Sequence, residues 1–371
     1  MSLVADGHAC PERSEGSATW LLDVAVQQEL LCEEQSIMST TNPWIHAALA
    51  EDRADVYFAR TQAILRREGL NPVVTMEVFP SRDGVLCGMK EVLALLRQVL
   101  PAERYEVWAL EEGEAMEAKE VVLRITAPYQ SFGLYETAIL GILAHESGWA
   151  TAARACVRAA GDTPVISFGA RHVHPAVAPY MEYAAIVGGC VGCATPAGAA
   201  LAGIEPSGTI PHALILCMGD TVAATQAFDR IIDPRVPRIA LVDTFKDEAE
   251  ESLRVARAMG ERLWGVRLDT PAERGRVTPD LVIEVRARLD QAGYQHVRIV
   301  VSGGIDPERI MLFKERGAPV DAYGVGSAIS SAPPIDFTAD IKVIEGRPVA
   351  KRGRIPGITP NPRLKRQQVN G

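Results

Sequence analysis

The sequence predicts an α/β protein in which an α+β N-terminal domain, residues 38–150, precedes an α/β barrel, residues 151–337. Two patterns support this division. In the first part, predicted strands adjoin one another along the chain, as they do in α+β domains. In the second part, short apolar runs alternate with helical patterns, which favours parallel strands and a (β/α) barrel. The 371 residues suffice for two such domains.

The composition is that of a soluble globular enzyme, with 47% hydrophobic and 23% charged residues. The net charge of −9 argues against a general nucleic-acid or anionic-membrane surface. No apolar run reaches the roughly 18 residues of a membrane span, so we expect a cytoplasmic protein with neither nucleic acid nor membrane as a partner. A site for a polyanionic ligand must therefore use backbone amides, a few Arg or Lys side chains and a metal ion.

The N-terminal residues 1–37 lack a hydrophobic period, and they lack the basic start and apolar core of a secretory signal. We expect a disordered extension there, and Met1 and Met38 are both candidate starts. Seven cysteines scattered along the chain do not form the pattern of a disulfide framework. Cys190 and Cys193 have CxxC spacing, but without a second pair we interpret both as small core residues.

Hydrophobic periodicity predicts the elements of the first domain. Apolar residues at helical spacing indicate helices, and β-rich runs bounded by turn residues indicate strands. The predicted elements are a helix over 55–65, a strand over 73–79, a helix over 89–99, strands over 105–110 and 120–126, and a helical region over 131–160.

The barrel strands are predicted from short apolar runs that end near Gly, Asp or Ser. They cover 164–168, 184–188, 239–242, 263–268, 297–301 and 322–325, and a further strand is implied before Gly208. This gives six or seven units rather than eight, so we expect an incomplete barrel. Polar residues follow most of these runs, and the C-terminal ends of barrel strands are where active sites form.

The C-terminal part predicts a hairpin, with strands over 340–344 and 349–352. A hairpin of this size is not stable alone. We therefore expect residues 338–371 to pack on the N-terminal domain, and the basic tail around Arg363 and Lys365 to be mobile.

Glycine-rich turns follow two successive late strands. Ser302, Gly303 and Gly304 follow the first, and Gly324 and Gly326 lie at the end of the second. Glycine lets backbone N–H groups point into a concave nest, which is how late barrel loops hold a phosphate. One Gly-Gly pair alone is a tight turn, but two glycine turns at adjacent strand ends predict a monophosphate site.

Two carboxylates and one arginine also lie at strand ends. Asp243 and Asp269 follow apolar runs, and Arg267 shares a strand face with Asp269. Such carboxylates bind ribose hydroxyls, ligate Mg²⁺ or stabilise positive charge on a sugar carbon. Asp243 has an alternative role as the N-cap of a helix over 244–259. An interior arginine needs an anion, so Arg267 is predicted to face a carboxylate or a phosphate.

Arg171, His172 and His174 follow the strand that ends at Phe168. A His-x-His pair in this place occurs in metal-dependent barrel hydrolases, which need more His and Asp ligands on later strands. Only two histidines follow later in the chain. The favoured interpretation is an anion clamp in which Arg171 lies beside the Phe168 ring, suited to a flat aromatic acid.

The segment from Ser207 to His212 places the Thr209 hydroxyl three positions before an imidazole, in a loop interrupted by Gly208 and Pro211. Histidine changes protonation near neutral pH, and it can carry a phosphoryl group on nitrogen. A single His beside Pro is otherwise a cap or a core contact. The accompanying strand-end motifs favour the chemical role.

Together these residues resemble the nicotinate phosphoribosyltransferase family, the type II phosphoribosyltransferases. The resemblance runs in matching order from about Asp55 to Arg352. It is carried by segments 120–129 and 135–137, by Phe168-Gly169-Ala170-Arg171, by Gly208-Thr209-Ile210-Pro211-His212, by Arg267-Leu268-Asp269 and by the two glycine turns.

The resemblance implies an irregular seven-stranded α/β (TIM-like) barrel with an α+β N-terminal domain that the C-terminal segment completes, in a homodimer or a higher homo-oligomer. His212 would be phosphorylated from ATP, with Thr209 beside the nicotinate. Phe168 and Tyr57 would enclose the pyridine ring, Tyr57 reaching in from the other subunit. The remaining implied contacts are those of Arg171 and Arg267 with substrate anions, of Asp243 and Asp269 with the ribose and pyrophosphate, and of Ser302, Gly303, Gly304, Gly324 and Gly326 with the 5-phosphate.

The implied activity is transfer of a phosphoribosyl group from 5-phosphoribosyl 1-pyrophosphate to nicotinate, with coupled ATP hydrolysis and Mg²⁺, in NAD biosynthesis. The predicted catalytic residues are His212, Asp243 and Asp269, and the predicted small-molecule partners are nicotinate, phosphoribosyl pyrophosphate and ATP. Two alternatives remain at this point. One is an ATP-independent quinolinate-type or nicotinamide phosphoribosyltransferase, and the other is a metal-dependent hydrolase that uses His172 and His174.

Overall fold

A computed structural model of the chain describes residues 53–368. The predicted extension over 1–37 lies outside the described residues. The helices are α1 (Val56–Arg67), α2 (Met89–Val99), α3 (Tyr129–Phe132), α4 (Glu136–Ala160), α5 (Ala178–Val187), α6 (Pro196–Ala202), α7 (His212–Met218), α8 (Thr221–Ile231), α9 (Glu248–Met259), α10 (Pro279–Gln291), α11 (Pro307–Glu315) and α12 (Ser327–Ser330).

The strands belong to two six-stranded sheets and one small two-stranded ribbon. They are β1 (Val73–Pro80), β2 (Gly84–Val85), β3 (Glu106–Ala109), β4 (Ala115–Met116), β5 (Leu123–Pro128), β6 (Val165–Ser167), β7 (Gly192–Cys193), β8 (Ile239–Leu241), β9 (Gly265–Leu268), β10 (Arg298–Val301), β11 (Ala322–Val325), β12 (Phe337–Ile344), β13 (Arg347–Pro348) and β14 (Lys365–Gln367).

The first sheet is antiparallel and contains strands from both ends of the described chain. Its order is β13-β12-β1-β5-β3-β14. The long strand β12 pairs with β1 from Pro80 opposite Phe337 to Val74 opposite Ile344. At the other edge β14 pairs with β3. The C-terminal segment therefore supplies three of the six strands of this sheet.

A buried ion pair helps to fix the C-terminal segment to this sheet. Glu77 on β1 is 1% exposed and accepts a hydrogen bond from Arg124 on β5 at 2.9 Å. The same carboxylate accepts the backbone N–H of Thr359 at 3.0 Å. Because an unpaired charge buried at this position would be costly, the contact with Thr359 holds the returning chain against β1.

Helix α4 connects the two sheets. Its N-terminal half contributes Ile139 and Leu143 to the core that α2 and the antiparallel sheet share. Its C-terminal half packs against α5 and α11, which belong to the second part of the chain. It has 25 residues, yet neither it nor another described helix is both long and apolar enough to cross a lipid bilayer.

The second sheet is parallel, in the order β7-β6-β11-β10-β9-β8, and it curls into a half-barrel. Helices connect its successive strands, so the predicted alternation of strands and helices is confirmed. In parallel sheets the carboxyl ends of all strands lie at one edge. The loops that follow Ser167, Leu268, Val301 and Val325 therefore meet at this edge.

The expected seven-stranded barrel is not observed in the described residues, which form six parallel strands and an open sheet. The predicted strand over 184–188 is wrong because this run forms the end of α5. Most of α5 is buried, including Met181 and Ala184 at 0% exposure. A run that is apolar all round has no helical period, so periodicity cannot distinguish a buried helix from a buried strand.

The strand implied before Gly208 is also absent from the described residues, where the corresponding strand is β7, at Gly192–Cys193. Residues 203–211 form an irregular loop instead. Ser207 N donates to Cys193 O at 2.7 Å, so this loop runs beside the edge strand. Its glycines and prolines do not support a ladder of strand hydrogen bonds, and the loop is left free to carry side chains into the site.

The C-terminal predictions need two corrections. The hairpin is tighter than predicted: its second strand is β13, at Arg347–Pro348, after a two-residue turn at Glu345 and Gly346 with positive φ angles of 46° and 73°. The basic tail is not mobile around Arg363, which donates to Glu120 at 2.8 Å. The following residues pair with β3 as β14, so the charges that suggested a solvated tail are neutralised within the sheet.

The CxxC pair consists of free, buried thiols, as the core interpretation predicts. Burial raises the pKa of the Cys193 thiol to about 12. A thiol with so high a pKa is neither a good nucleophile nor a ready metal ligand near neutral pH.

We predict that Glu136→Gln stabilises the protein at high pH. Burial, together with nearby Asp340 and Asp55, raises the pKa of Glu136 from 4.5 to about 7. Because the folded state binds this proton more tightly than the unfolded state, the associated stability is complete below pH 4.5 and is lost as the pH rises through 7. Thermal unfolding should show a gain of about 1 kcal/mol at pH 8.5 and little change at pH 5.

The exposed Glu68 at the end of α1 offers a matched control, because Glu68→Gln should leave stability similar at both pH values. Equal effects of Glu136→Gln at pH 5 and pH 8.5 would contradict the prediction.

Candidate active site

Two adjoining cavities lie at the carboxyl edge of the parallel sheet, with volumes of about 230 and 420 Å³. The smaller is bordered by the glycine turns after β10 and in β11, and the larger by the loop from Ser207 to His212. They share the residues Phe168, Arg171, Arg267 and Asp269. The glycine turns and His212 therefore face neighbouring parts of one site.

The smaller cavity has the geometry of an anion nest. Gly303 and Gly304 have positive φ angles of 85° and 68°, which a residue with a side chain adopts only with strain. Within residues 53–368, the backbone N–H groups of these two residues donate to no acceptor. Unpaired N–H groups at a turn of this kind bind an anion such as phosphate.

Gly324 leaves room for an aromatic ring. A Cβ added at Gly324 would lie 2.3 Å from Cε2 of Phe168. The Phe168 ring therefore lies directly over the backbone of β11, and the Arg267 guanidinium lies on the ring with 5.8 Å between its Cζ and the centroid. Phe168 borders both cavities, so its ring offers a stacking surface for a flat ligand.

Arg267 is the most buried cation of the site, with 9% of its surface exposed. Its Nη1 donates to Thr209 Oγ1 at 2.6 Å, and its Nη2 lies 3.9 Å from Asp269 Oδ2. Its Nε is buried without a hydrogen-bond partner among the described residues. Burial lowers the pKa of Arg267, and the neighbouring carboxylates Asp269 and Asp243 oppose this shift.

Arg171 adds a second guanidinium to both cavities. It forms no hydrogen bond or ion pair with residues 53–368, and its charge lowers the pKa of Arg267 further. Two guanidinium groups that repel each other beside a ring are stabilised by an anion that binds between them.

Asp269 is held in place by the strand that carries the phosphate nest. Its Oδ1 accepts a hydrogen bond from the buried Ser302 Oγ at 2.8 Å. A Cβ added at Gly303 would lie 3.0 Å from the same oxygen. The carboxylate therefore lies directly beside the nest, with Oδ2 turned toward Arg267.

His212 and Asp243 form a hydrogen-bonded pair, with 3.0 Å between Nε2 and Oδ2. The imidazole is 38% exposed and borders the larger cavity, whereas the Asp243 side chain is 1% exposed. Burial raises the pKa of Asp243, and the contact with His212 opposes this shift. A carboxylate on Nε2 fixes the tautomer that leaves the Nδ1 lone pair free.

The alternative role of Asp243 as a helix cap is wrong. Helix α9 begins at Glu248, and its N-cap is Asp247, whose Oδ1 accepts the backbone N–H of Ala249 at 3.0 Å. Asp243 instead lies five residues before the start of this helix and contacts the imidazole of His212. The sequence offered two carboxylates near the helix start, and capping preference alone could not choose between them.

Most of the predicted site residues therefore converge at the two cavities, directly or through His212. Tyr57 does not: it is 56% exposed on α1, and its hydroxyl donates to Asp55 at 3.3 Å. A role for Tyr57 in the site of another subunit stays a prediction.

The two histidines of the His-x-His motif lie on different cavities. His172 borders the phosphate nest, with 3.3 Å between its Nδ1 and Ser330 Oγ. His174 borders a separate cavity, and its Nδ1 accepts the backbone N–H of Ala176 at 3.1 Å. A pair divided in this way does not chelate one metal ion, so the structure removes the support for a metal-dependent hydrolase.

Sequence reasoning missed two side chains near the nest, Ser327, which borders the smaller cavity, and Arg276, whose guanidinium lies over Gly304. His172, which the sequence suggested only as a metal ligand, also borders this cavity. Arg276 stands seven residues after Asp269, in a loop rich in charge with no periodic pattern. The Arg-Gly-Arg sequence at 274–276 was the available signal, but surface arginines are too common for it to be specific.

We predict that Gly324→Ala displaces the Phe168 ring and destabilises the protein by about 1–3 kcal/mol, because the added methyl group cannot fit 2.3 Å from the ring. Thermal unfolding and a crystal structure of the variant check this. Gly208→Ala is the matched control, since a Cβ at Gly208 meets no atom within 4 Å. An unmoved ring and unchanged stability in Gly324→Ala would contradict the prediction.

Comparison with known proteins agrees with this geometry. A family model for the N-terminal domain of quinolinate phosphoribosyl transferase matches residues 55–147, and a model for the C-terminal domain matches residues 149–340. Nicotinate phosphoribosyltransferase pncB1 of Mycobacterium tuberculosis is 30% identical over 328 residues, covering 78% of this chain and 71% of that protein.

Two further similarities concern length and fold. Nicotinate phosphoribosyltransferase pncB2 of Mycobacterium tuberculosis is 30% identical over 247 residues, which cover 65% of this chain and 52% of that protein, so the chain spans about half the length of this relative. The crystal structure of nicotinate-nucleotide pyrophosphorylase from Pyrococcus furiosus has a TM-score of 0.76 and 45% identity, covering 83% of this chain and 79% of that one. Because both domain models match in order around one site, the chain belongs to the quinolinate phosphoribosyl transferase family of type II phosphoribosyltransferases.

Proposed function

We propose that this protein is a nicotinate phosphoribosyltransferase, which forms nicotinate mononucleotide and pyrophosphate from nicotinate and 5-phosphoribosyl 1-pyrophosphate. One observation carries the proposal: the phosphate nest and the cavity of His212 share a wall made of a ring, two guanidinium groups and a carboxylate. The relatives named nicotinate phosphoribosyltransferase support the choice of nicotinate. The product would enter NAD biosynthesis.

The sugar phosphate end fits the smaller cavity. The free N–H groups of Gly303 and Gly304 would bind the 5-phosphate, in a cavity that Gly324 and Gly326 also border. Asp269, held by Ser302, lies next to this position. It would bind the ribose and stabilise positive charge as it develops on the sugar.

Nicotinate fits the shared wall. Its pyridine ring would stack on Phe168, and its carboxylate would bind between Arg171 and Arg267. The hydrogen bond to Thr209 would hold the Arg267 guanidinium in position. The pyridine nitrogen is a modest nucleophile, so stacking and the carboxylate clamp act mainly by fixing its position. Tyr57 of a second copy would cover the other face of the ring.

A second copy of the chain is supported by the surface of α1. Val56, Tyr57 and Ile64 are 58%, 56% and 61% exposed. An exposed apolar face on a helix indicates a contact with another molecule. We propose a homo-oligomer in which this face of α1 meets the site of a neighbouring subunit.

During transfer, the bond from C1 to the pyrophosphate oxygen breaks as the bond from C1 to the pyridine nitrogen forms. The carboxylates near C1 suit Mg²⁺, because Asp243 Oδ1 is buried without a partner among the described residues and Asp269 is close enough to raise the pKa of Asp243. Mg²⁺ would neutralise the leaving pyrophosphate. Arg171 and Arg267 would exclude water and hold the anions in line.

The His212–Asp243 pair supports coupling to ATP. With Nε2 directed at Asp243, Nδ1 can attack the γ-phosphorus of ATP, so that an N–P bond forms, the P–O bond to ADP breaks, and phosphohistidine results. The added negative charge next to the shared wall would change substrate affinity until hydrolysis releases phosphate. This role of His212 rests on its geometry and on the resemblance of its motif.

A second candidate is an ATP-independent enzyme that uses quinolinate. The 45% identical Pyrococcus furiosus structure, named nicotinate-nucleotide pyrophosphorylase, favours it. Quinolinate carries two carboxylates, and apart from Arg171 and Arg267 the described lining of the two cavities offers only histidines as further cations. The neutral nicotinamide would leave one guanidinium charge unmatched.

We predict that the purified protein forms nicotinate mononucleotide from nicotinate and phosphoribosyl pyrophosphate in a product assay. Quinolinate and nicotinamide should give at most a few per cent of that rate, because one adds an unmatched carboxylate and the other removes the anion from the clamp. A higher rate with quinolinate, accompanied by release of carbon dioxide, would replace the proposed function by the second candidate.

We predict that His212→Ala abolishes ATP hydrolysis and ATP stimulation while leaving a slow, ATP-independent transfer. Asp243→Asn should reduce ATP hydrolysis about 100-fold, because the imidazole loses the partner that fixes its tautomer. Phosphate release and nucleotide formation are measured separately. ATP hydrolysis that continues at its full rate in His212→Ala would exclude the phosphohistidine.

A further inference from the structure

Arg276 lies on the loop between β9 and α10, outside the set of residues that the family resemblance identified. A Cβ added at Gly304 would lie 1.8 Å from Arg276 Nη1. The guanidinium therefore lies against the Gly304 backbone, beside the phosphate nest. Gly303 lies next to the Asp269 carboxylate, and Gly304 lies next to the Arg276 guanidinium. The two charged groups therefore lie beside neighbouring residues of the same turn.

The Arg276 side chain is not neutralised within the described residues. It makes no hydrogen bond or ion pair with residues 53–368. Arg309 is a second cation in this region, and its pKa is lowered by its own burial and by the charge of Arg276. Arg309 Nε is buried without a partner among the described residues. An anion bound by the free N–H groups of the nest would give the exposed, unpaired Arg276 guanidinium a partner.

Asp306, the carboxylate that acts on Arg309, does not pair with Arg276. Its Oδ1 caps α11 by accepting the backbone N–H of Arg309 at 2.8 Å. Its charge opposes the lowered pKa of Arg309, and it forms no hydrogen bond or ion pair with Arg276 among the described residues. The Arg276 guanidinium therefore remains unpaired among the described residues.

The loop that carries Arg276 is fixed at both ends. Near its start, Glu248 is 1% exposed and accepts hydrogen bonds from Thr270 at 2.7 Å and from Arg274 at 3.2 Å. At its end, Arg309 Nη2 donates to Val277 O at 2.6 Å. Arg276 itself has a φ of 65°, a conformation that costs a residue with a side chain about 1 kcal/mol. Arg276 is exposed, but its loop is held at both ends and its backbone conformation is strained.

We propose that Arg276 is a substrate-binding residue that closes the nest over the 5-phosphate of the ribose. The N–H groups of Gly303 and Gly304 bind the phosphate from the β10 loop, and the Arg276 guanidinium binds it from the β9 loop. The inference rests on the proposed function, because it assigns a further contact to the sugar phosphate end. It also distinguishes the two ends of the substrate, since Arg276 would contact the 5-phosphate and not the departing pyrophosphate.

Binding of ribose 5-phosphate and of pyrophosphate to the full chain, measured by calorimetry, tests this without turnover. Arg276→Gln should weaken ribose 5-phosphate binding about 10-fold or more, the loss expected for one charge-assisted hydrogen bond pair. Pyrophosphate binding should change less than about twofold. The KM for phosphoribosyl pyrophosphate should rise in parallel while the KM for nicotinate stays constant, and Arg276→Lys should recover part of the loss.

Two further variants separate contact from folding. Arg288→Gln removes an exposed cation that pairs with Glu284 on α10, and it should bind ribose 5-phosphate as the unmodified protein does. Gly304→Ala disturbs both the glycine turn and the position of the Arg276 guanidinium, so it should weaken ribose 5-phosphate binding at least as much as Arg276→Gln does. Equal ribose 5-phosphate affinity in Arg276→Gln and the unmodified protein would overturn the inference, whatever the thermal stability of the variant.

Failure of the inference and failure of the proposed function give different results. If the unmodified protein binds ribose 5-phosphate and forms nicotinate mononucleotide while Arg276→Gln matches it, only the inference is overturned. If the unmodified protein binds no ribose 5-phosphate, the assignment of the nest is overturned together with the contact built on it.

Discussion

The buried guanidinium of Arg267 is the constraint on which the rest of the site depends. It is 9% exposed, lies on the Phe168 ring, donates to Thr209 and faces Asp269 from 3.9 Å. A buried cation with an unpaired Nε is costly unless an anion completes its contacts. The loop of Thr209 and the nest beside Asp269 lie at the same wall, and we propose that an anionic ligand binds between them.

The two sheets have different roles in forming this wall. The parallel half-barrel brings the carboxyl ends of β6, β9, β10 and β11 together, and the loop 203–211 occupies the place beside the edge strand β7. The antiparallel sheet, closed by β12 and β14 from the C-terminal segment, provides a base that α4 joins to the half-barrel. The site is therefore built from loops that a rigid frame holds in place, an arrangement that is common in enzymes.

Much of this arrangement could be predicted from the sequence, because it depends on local patterns. The glycine turns, Arg267 and Asp269 follow apolar runs, and such runs identify buried strands and the edge at which they end. The prediction of a strand over 184–188 was wrong because most of α5 is buried, and its apolar run shows no helical period. Arg276 was missed because its importance comes from a contact with Gly304, 28 positions away, that no local pattern encodes. Asp243 could be assigned to His212 only once the distance between them was known.

A crystal structure of the protein with nicotinate mononucleotide bound tests the central claim most directly. The account predicts that the 5-phosphate binds the N–H groups of Gly303 and Gly304, that the pyridine ring stacks on Phe168, and that the Arg267 guanidinium contacts the ligand. A nucleotide bound away from this wall, with Arg267 making only the contacts to Thr209 and Asp269, would contradict it.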